Sequence, residues 1–118
     1  MTIQLSTELG SIEIEKQVIA TLAGGAAMEC MGLVGMSSTR AMKDGIAELL
    51  RRENLSRGVE VHKENDQLFI DLYIIVSYGT KISEVANIVQ ERVQYTLKQT
   101  LGLDVDKVNI YVQGVRTL

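Results

Sequence analysis

Tryptophan and proline are absent from these 118 residues, histidine and cysteine occur once each, and the aromatics are Phe69 and four tyrosines. Without Pro- or Ser-rich stretches there is no linker, so residues 1–118 read as one domain, with 1–9 as a loose or late-docking N-terminal arm. A single cysteine, Cys30, excludes an intramolecular disulfide. One histidine and one cysteine cannot hold zinc within the chain unless carboxylates join them. With so few aromatics, Val, Ile, Leu and Ala must fill the core.

Long apolar runs are also missing. None approaches the ~18 residues that cross a bilayer, and the opening MTIQLSTELG lacks the charged and apolar blocks of a signal peptide. The expectation is a cytoplasmic chain with no direct membrane insertion. Charge of one sign is scarce as well: net −3 with a pI near 5.1 gives no electrostatic footprint for nucleic acid or anionic lipid. Hydrophobic residues at 46% and charged ones at 23% are ordinary for a soluble globular protein.

What the chain does contain is concentrated in Leu68–Val115: a long strand, a Gly turn, an amphipathic helix, a Gly stop and a second strand. Along the first strand Leu68, Ile70, Leu72, Ile74, Val76 and Tyr78 share one face, and Phe69, Asp71, Tyr73, Ile75 and Ser77 share the other. The closing strand alternates likewise, with Val108, Ile110 and Val112 inward and Asn109, Tyr111, Gln113 and Val115 outward. Between them Ile82, Val85, Ala86, Val89, Val93 and Leu97 form a helical stripe, with Ser83 as a candidate N-cap and Gly102 as the stop.

Upstream, Gly10–Glu15 alternates as a short strand, and Lys16–Met31 carries Val18, Ile19, Leu22, Ala23, Ala26, Ala27 and Cys30 on one helical face, stopped at Gly32. Leu33–Ser38 is a short strand. Met42, Ile46, Leu49 and Leu50 suggest a minor helix over 41–52, weakened by Gly45. Gly58–Lys63 and Leu68–Tyr78 flank Glu64–Gln67 as a hairpin. The expected fold is an α/β two-layer sandwich of order β-α-β-(α)-β-β-α-β. Its mixed sheet has parallel pairing across the strand–helix–strand units and both main helices on one face.

The other face would carry Phe69, Tyr73, Ile75, Tyr111 and Val115. Either a partner covers it, or the minor helix or terminal arm folds over it; two tyrosines with polar neighbours favour a self-association surface. Arg40, Lys43, Arg51, Arg52 and Arg57 gather positive charge, but Asp44, Glu48 and Glu53 lie among them, so a solvated helix face is the simpler reading. Gly24-Gly25 inside the first helix reads as close packing on its own sheet and, failing that, as the floor of a ligand site. Cys30 reads as a buried inert thiol and His62 as a surface histidine. Glu13 and Glu15 have no positioned partner. No nucleophile meets a base and no metal cluster emerges, so catalytic, cofactor and metal residues are expected to be none, and the chain to be no enzyme.

The stretches GSIEIEKQVIATLAGGAAMEC, NLSRGVEV and IDLYIIVSYGTKISEVANIVQERV resemble the alkaline shock protein family, the Gram-positive envelope stress response proteins, in its short YloU-like branch. Tyr78-Gly79, Glu84-Val85-Ala86, Val89-Gln90 and the closing Val108–Val115 carry the likeness most specifically. It implies a bacterial protein without known catalysis that serves envelope homeostasis and stress tolerance, self-assembling or recruited to the membrane by an anchored relative. The expected role is therefore a self-associating scaffold or adaptor, peripheral to the membrane through a protein partner. The alternatives are a nucleic-acid-binding module, disfavoured by charge, and a ligand-binding or enzyme-accessory subunit. Two departures stand out: Glu15-Lys16 replaces the Ser-Pro that often opens the first helix, and the long charged tails of larger relatives are missing.

Overall fold

A computed structural model describes residues 2–37, 49–50, 56 and 58–117. The described elements are β1 (Thr2–Thr7), β2 (Gly10–Glu15), α1 (Lys16–Met28), β3 (Leu33–Ser37), β4 (Leu49–Leu50), β5 (Val59–Glu64), β6 (Gln67–Ser77), α2 (Ile82–Leu101) and β7 (Lys107–Arg116). The mixed α+β fold expected from the alternation of periods 2 and 3.6 is the one observed.

β6 organises the main sheet. One of its edges is shared: β5 pairs antiparallel along Gln67–Leu72, and β3 pairs antiparallel along Ile74–Val76. β7 takes the other edge in parallel, joined by the crossover helix α2. The β5–β6 turn is shorter than the four residues expected. Glu64 pairs directly with Gln67, and Asn65 and Asp66 both adopt positive φ (49° and 66°), the two-residue geometry that matches strand twist.

Leu68, Ile70, Leu72, Ile74 and Val76 enter one core with Ile19, Ala20, Ala23, Ala26 and Ala27 of α1 and Val85, Val89, Val93 and Leu97 of α2. Both helices therefore cover one sheet face, and they pack on each other. The small residues of α1 permit that close approach. Gly32 holds the α1–β3 turn at φ +90°, and a Cβ there would sit 2.7 Å from Val85 Cγ2. Only glycine satisfies both demands.

Several expectations are corrected. The first residues form β1, a full antiparallel partner of β2 with Ile3 buried in the core, and are no loose arm. β2 consequently belongs to a separate two-stranded ribbon, so the unit β2–α1–β3 yields no parallel pair. The minor helix lies outside the described residues except at Leu49–Leu50, which pair with β3 as a short strand. α1 ends at Met28, and its Val18 is exposed. α2 begins at Ile82 after Lys81, which leaves Ser83 inside the first turn and no side-chain cap, whereas Gly102 ends the helix in the left-handed region as expected.

Candidate functional site

The face of the sheet away from the helices is built from alternate residues of three strands. Register places Glu60 opposite Asp71 and His62 opposite Phe69 on β5–β6, and Asp71 beside Asn109 and Tyr73 beside Tyr111 on β6–β7. These side chains form two neighbouring groups, one polar and one aromatic.

In the polar group His62 Nε2 lies 3.0 Å from Asp71 Oδ2 and 3.4 Å from Glu60 Oε2. Asn109 Nδ2 donates to the other Asp71 oxygen, Oδ1, at 2.9 Å. All three titratable residues are half-buried. His62, Asp71 and Asn109, with Glu64, Phe69 and Tyr111, line a shallow depression of ≈330 Å³. Among the described residues no hydroxyl or thiol is hydrogen-bonded to His62, so the cluster lacks a nucleophile with its base. A larger depression, ≈460 Å³, flanks the C-terminal half of α2, crossed by the Lys98–Asp104 ion pair at 2.9 Å, and holds neither histidine nor cysteine.

In the aromatic group Tyr73 and Tyr111 stack with ring centroids 4.9 Å apart and planes 17° off parallel. Burial pushes the Tyr73 phenol above its usual range, and the charges of Glu60 and Asp71 push it further. The candidate surface residues divide sharply. Tyr73 (6%) and Ile75 (1%) are closed off within the chain, Phe69 is half-buried, and Tyr111 (43%) and Val115 (49%) are exposed. Tyr73 and Ile75 thus offer no free surface to a partner, nor Tyr73 a ring face to a base, which corrects their expected exposure. Val115 changes sides. A bulge between Val112 and Gly114 sets Ile75 beside Gly114 and Val76 beside Val115, so Val115 lies on the helix side of the sheet.

Arg40, Lys43, Arg51, Arg52 and Arg57 lie outside the described residues. Cys30 is buried, its thiol donating to the Ala26 carbonyl at 3.6 Å. The Glu60–His62–Asp71–Asn109 cluster escaped the sequence reading. The signal for it was present: a two-residue Asn-Asp turn fixes the register that sets Glu60 against Asp71.

No helix among the described residues is long and apolar enough to cross a membrane. What the geometry defines is a small α+β domain that, among its described residues, offers surfaces and no assembled nucleophile–base site. Residues 4–117 match the alkaline shock protein 23 family, described as having a cell envelope-related function, and the chain belongs to that family. It is 62% identical to the uncharacterized protein YloU of Bacillus subtilis, over 98% of this chain and 97% of that one. An uncharacterized protein of Streptococcus pyogenes is 46% identical over all of this chain and 98% of its own length. A stress response regulator gls24 homolog, also from Streptococcus pyogenes, is 26% identical over 92% of this chain and 60% of its own. No solved structure matches.

Proposed function

We propose that this chain is a non-enzymatic scaffold or adaptor in envelope stress tolerance that assembles with a second copy of itself through β7. The observation that carries this reading is the state of that strand. Among the described residues β7 pairs only with β6, and it exposes Tyr111, Val112 and Val115 along its length. Gln90 and Gln94 of α2 bond the carbonyls of Val108 and Val105, tying down the start of the strand. Beyond Val108 no described helix side chain hydrogen-bonds to it. An open edge with apolar side chains is a template for strand pairing, and two such edges related by a two-fold axis extend one sheet into another. The family's cell envelope-related function and the stress regulator among its relatives supply the setting. A membrane-anchored protein would then meet the assembled scaffold rather than the bilayer meeting it directly.

Light scattering after size exclusion, across a wide concentration range, tests this. A dimer or larger species is expected, reduced to monomer by Tyr111→Glu or Val115→Glu with the circular dichroism unchanged. A parent chain that is monomeric at every concentration overturns the proposal.

A further inference from the structure

We infer that Glu60, His62 and Asp71 form a binding site for a divalent cation of the zinc class, on the sheet face away from the helices. The inference is independent of the self-association reading. Three potential donors, His62 Nε2, Glu60 Oε2 and Asp71 Oδ2, lie within 4.8 Å of one another. Two of their separations, 3.0 and 3.4 Å, bracket the edge of about 3.3 Å that zinc bond lengths impose on a tetrahedron. The donor set is one imidazole and two carboxylates. An imidazole nitrogen suits zinc and its neighbours in the first transition row, and disfavours magnesium or calcium, which prefer all-oxygen shells.

Two further features suit a cation. Glu60 and Asp71 are direct cross-strand partners, and carboxylates placed opposite each other repel unless positive charge lies between them. His62, two residues along from Glu60 on the same face, sets its ring nitrogen near both acids. Asn109 fixes the Asp71 carboxylate from the far side, leaving Oδ2 turned toward His62, the supporting bond by which protein metal sites orient a ligand. The donors come from two hydrogen-bonded strands, so bringing them together costs little further ordering. A fourth position would open into the depression beside Phe69 and Tyr111, where water or a donor from a bound molecule completes the shell.

Calorimetric titration of the intact chain with Zn2+ in a non-coordinating buffer tests the assignment, with Co2+ visible absorption reporting the geometry. One equivalent should bind. His62→Ala and Asp71→Asn should each abolish binding, and Asn109→Ala should weaken it about tenfold. Retention of the parent's circular dichroism in these surface variants separates loss of a ligand from loss of fold. Three results would overturn the assignment: no saturable binding, binding unchanged in both His62→Ala and Asp71→Asn, or displacement of Zn2+ by equimolar Mg2+.

Discussion

Tyr73 and Tyr111 touch face to face yet differ sevenfold in exposure, 6% against 43%, and this asymmetry yields a quantitative prediction. Truncating a buried aromatic costs about 3–5 kcal/mol, so Tyr73→Ala should lose that much. Tyr111 keeps much of its ring in water, and its main loss is the stack, about 0.5–1.5 kcal/mol, with a little added burial. Tyr111→Ala should therefore cost about 1–2 kcal/mol. At about 4 °C per kcal/mol for a domain of this size, the melting temperatures should fall by about 12–20 °C and 4–8 °C. Urea unfolding of both single variants and the double variant, at one fixed protein concentration, isolates the coupling. That coupling should be about 0.5–1.5 kcal/mol. Equal costs for the two truncations, or no coupling, would refute the arrangement of a closed Tyr73 beneath an accessible Tyr111.

Gly32→Ala should destabilise by about 2–4 kcal/mol, combining left-handed backbone strain with the 2.7 Å approach to Val85, and a loss below about 1 kcal/mol in urea titration would show that the turn adapts. Ser37→Ala should stabilise by about 1 kcal/mol, because the Ser37 hydroxyl is fully buried without a hydrogen-bond partner among the described residues, and a lowered urea midpoint would contradict this. Burial pushes the Cys30 thiol above its usual range, against the opposing pull of the Arg92 guanidinium. The unfolded chain then releases this proton first, so stability is fully present below the ordinary thiol range and declines as pH rises from about 8.5 toward the raised value. Cys30→Ala should flatten that decline between about pH 8.5 and 10, with Tyr73 adding its own loss above about pH 10; an identical slope in the variant would refute the assignment.

Much of this fold was legible because its strongest patterns are local. Five alternating apolar residues from Leu68 to Val76 marked the core face of β6, and Val85, Val89, Val93 and Leu97 marked the stripe of α2. Tyr78, expected as a sixth core residue, lies past the end of the strand and is exposed. Every residue of β6 fell on the face expected of it. The failures share a physical origin, which is that pairing is a tertiary choice. Thr2–Thr7 carries only Ile3 and Leu5 as apolar residues, so nothing local announces a strand until β2 lies beside it. Pairing with β1 then withdraws β2 from the main sheet, and the parallel partner expected for β3 disappears. Ser83 is a good capping residue, but the crossover from β6 starts α2 two residues too early to use it. Strand alternation assigned Val115 to the outer face, yet one extra residue in β7 reverses its parity, and Gly114 inside the strand was the sequence signal for that bulge.

The outer face therefore cannot act as one uniform apolar patch. Ile75 is sealed beside Gly114, and the bulge that puts them side by side also removes Val115 from that face. Tyr73 is covered, with Tyr111 stacked against it as the accessible ring. Two residues back along the same strands the surface turns polar around Asp71, whose two oxygens are engaged by His62 and Asn109. Among the described residues, two regions of this sheet are the proposed points of contact with another molecule: the edge of β7, where Tyr111 is exposed, and the polar cluster beside it. Charge introduced at Tyr111 probes the first and removal of the His62 imidazole probes the second. Because Tyr111 also borders the depression next to the cluster, a molecule seated at one region lies against the other. The two substitutions separate strand pairing from ligand binding only when mass and metal uptake are measured on the same variants.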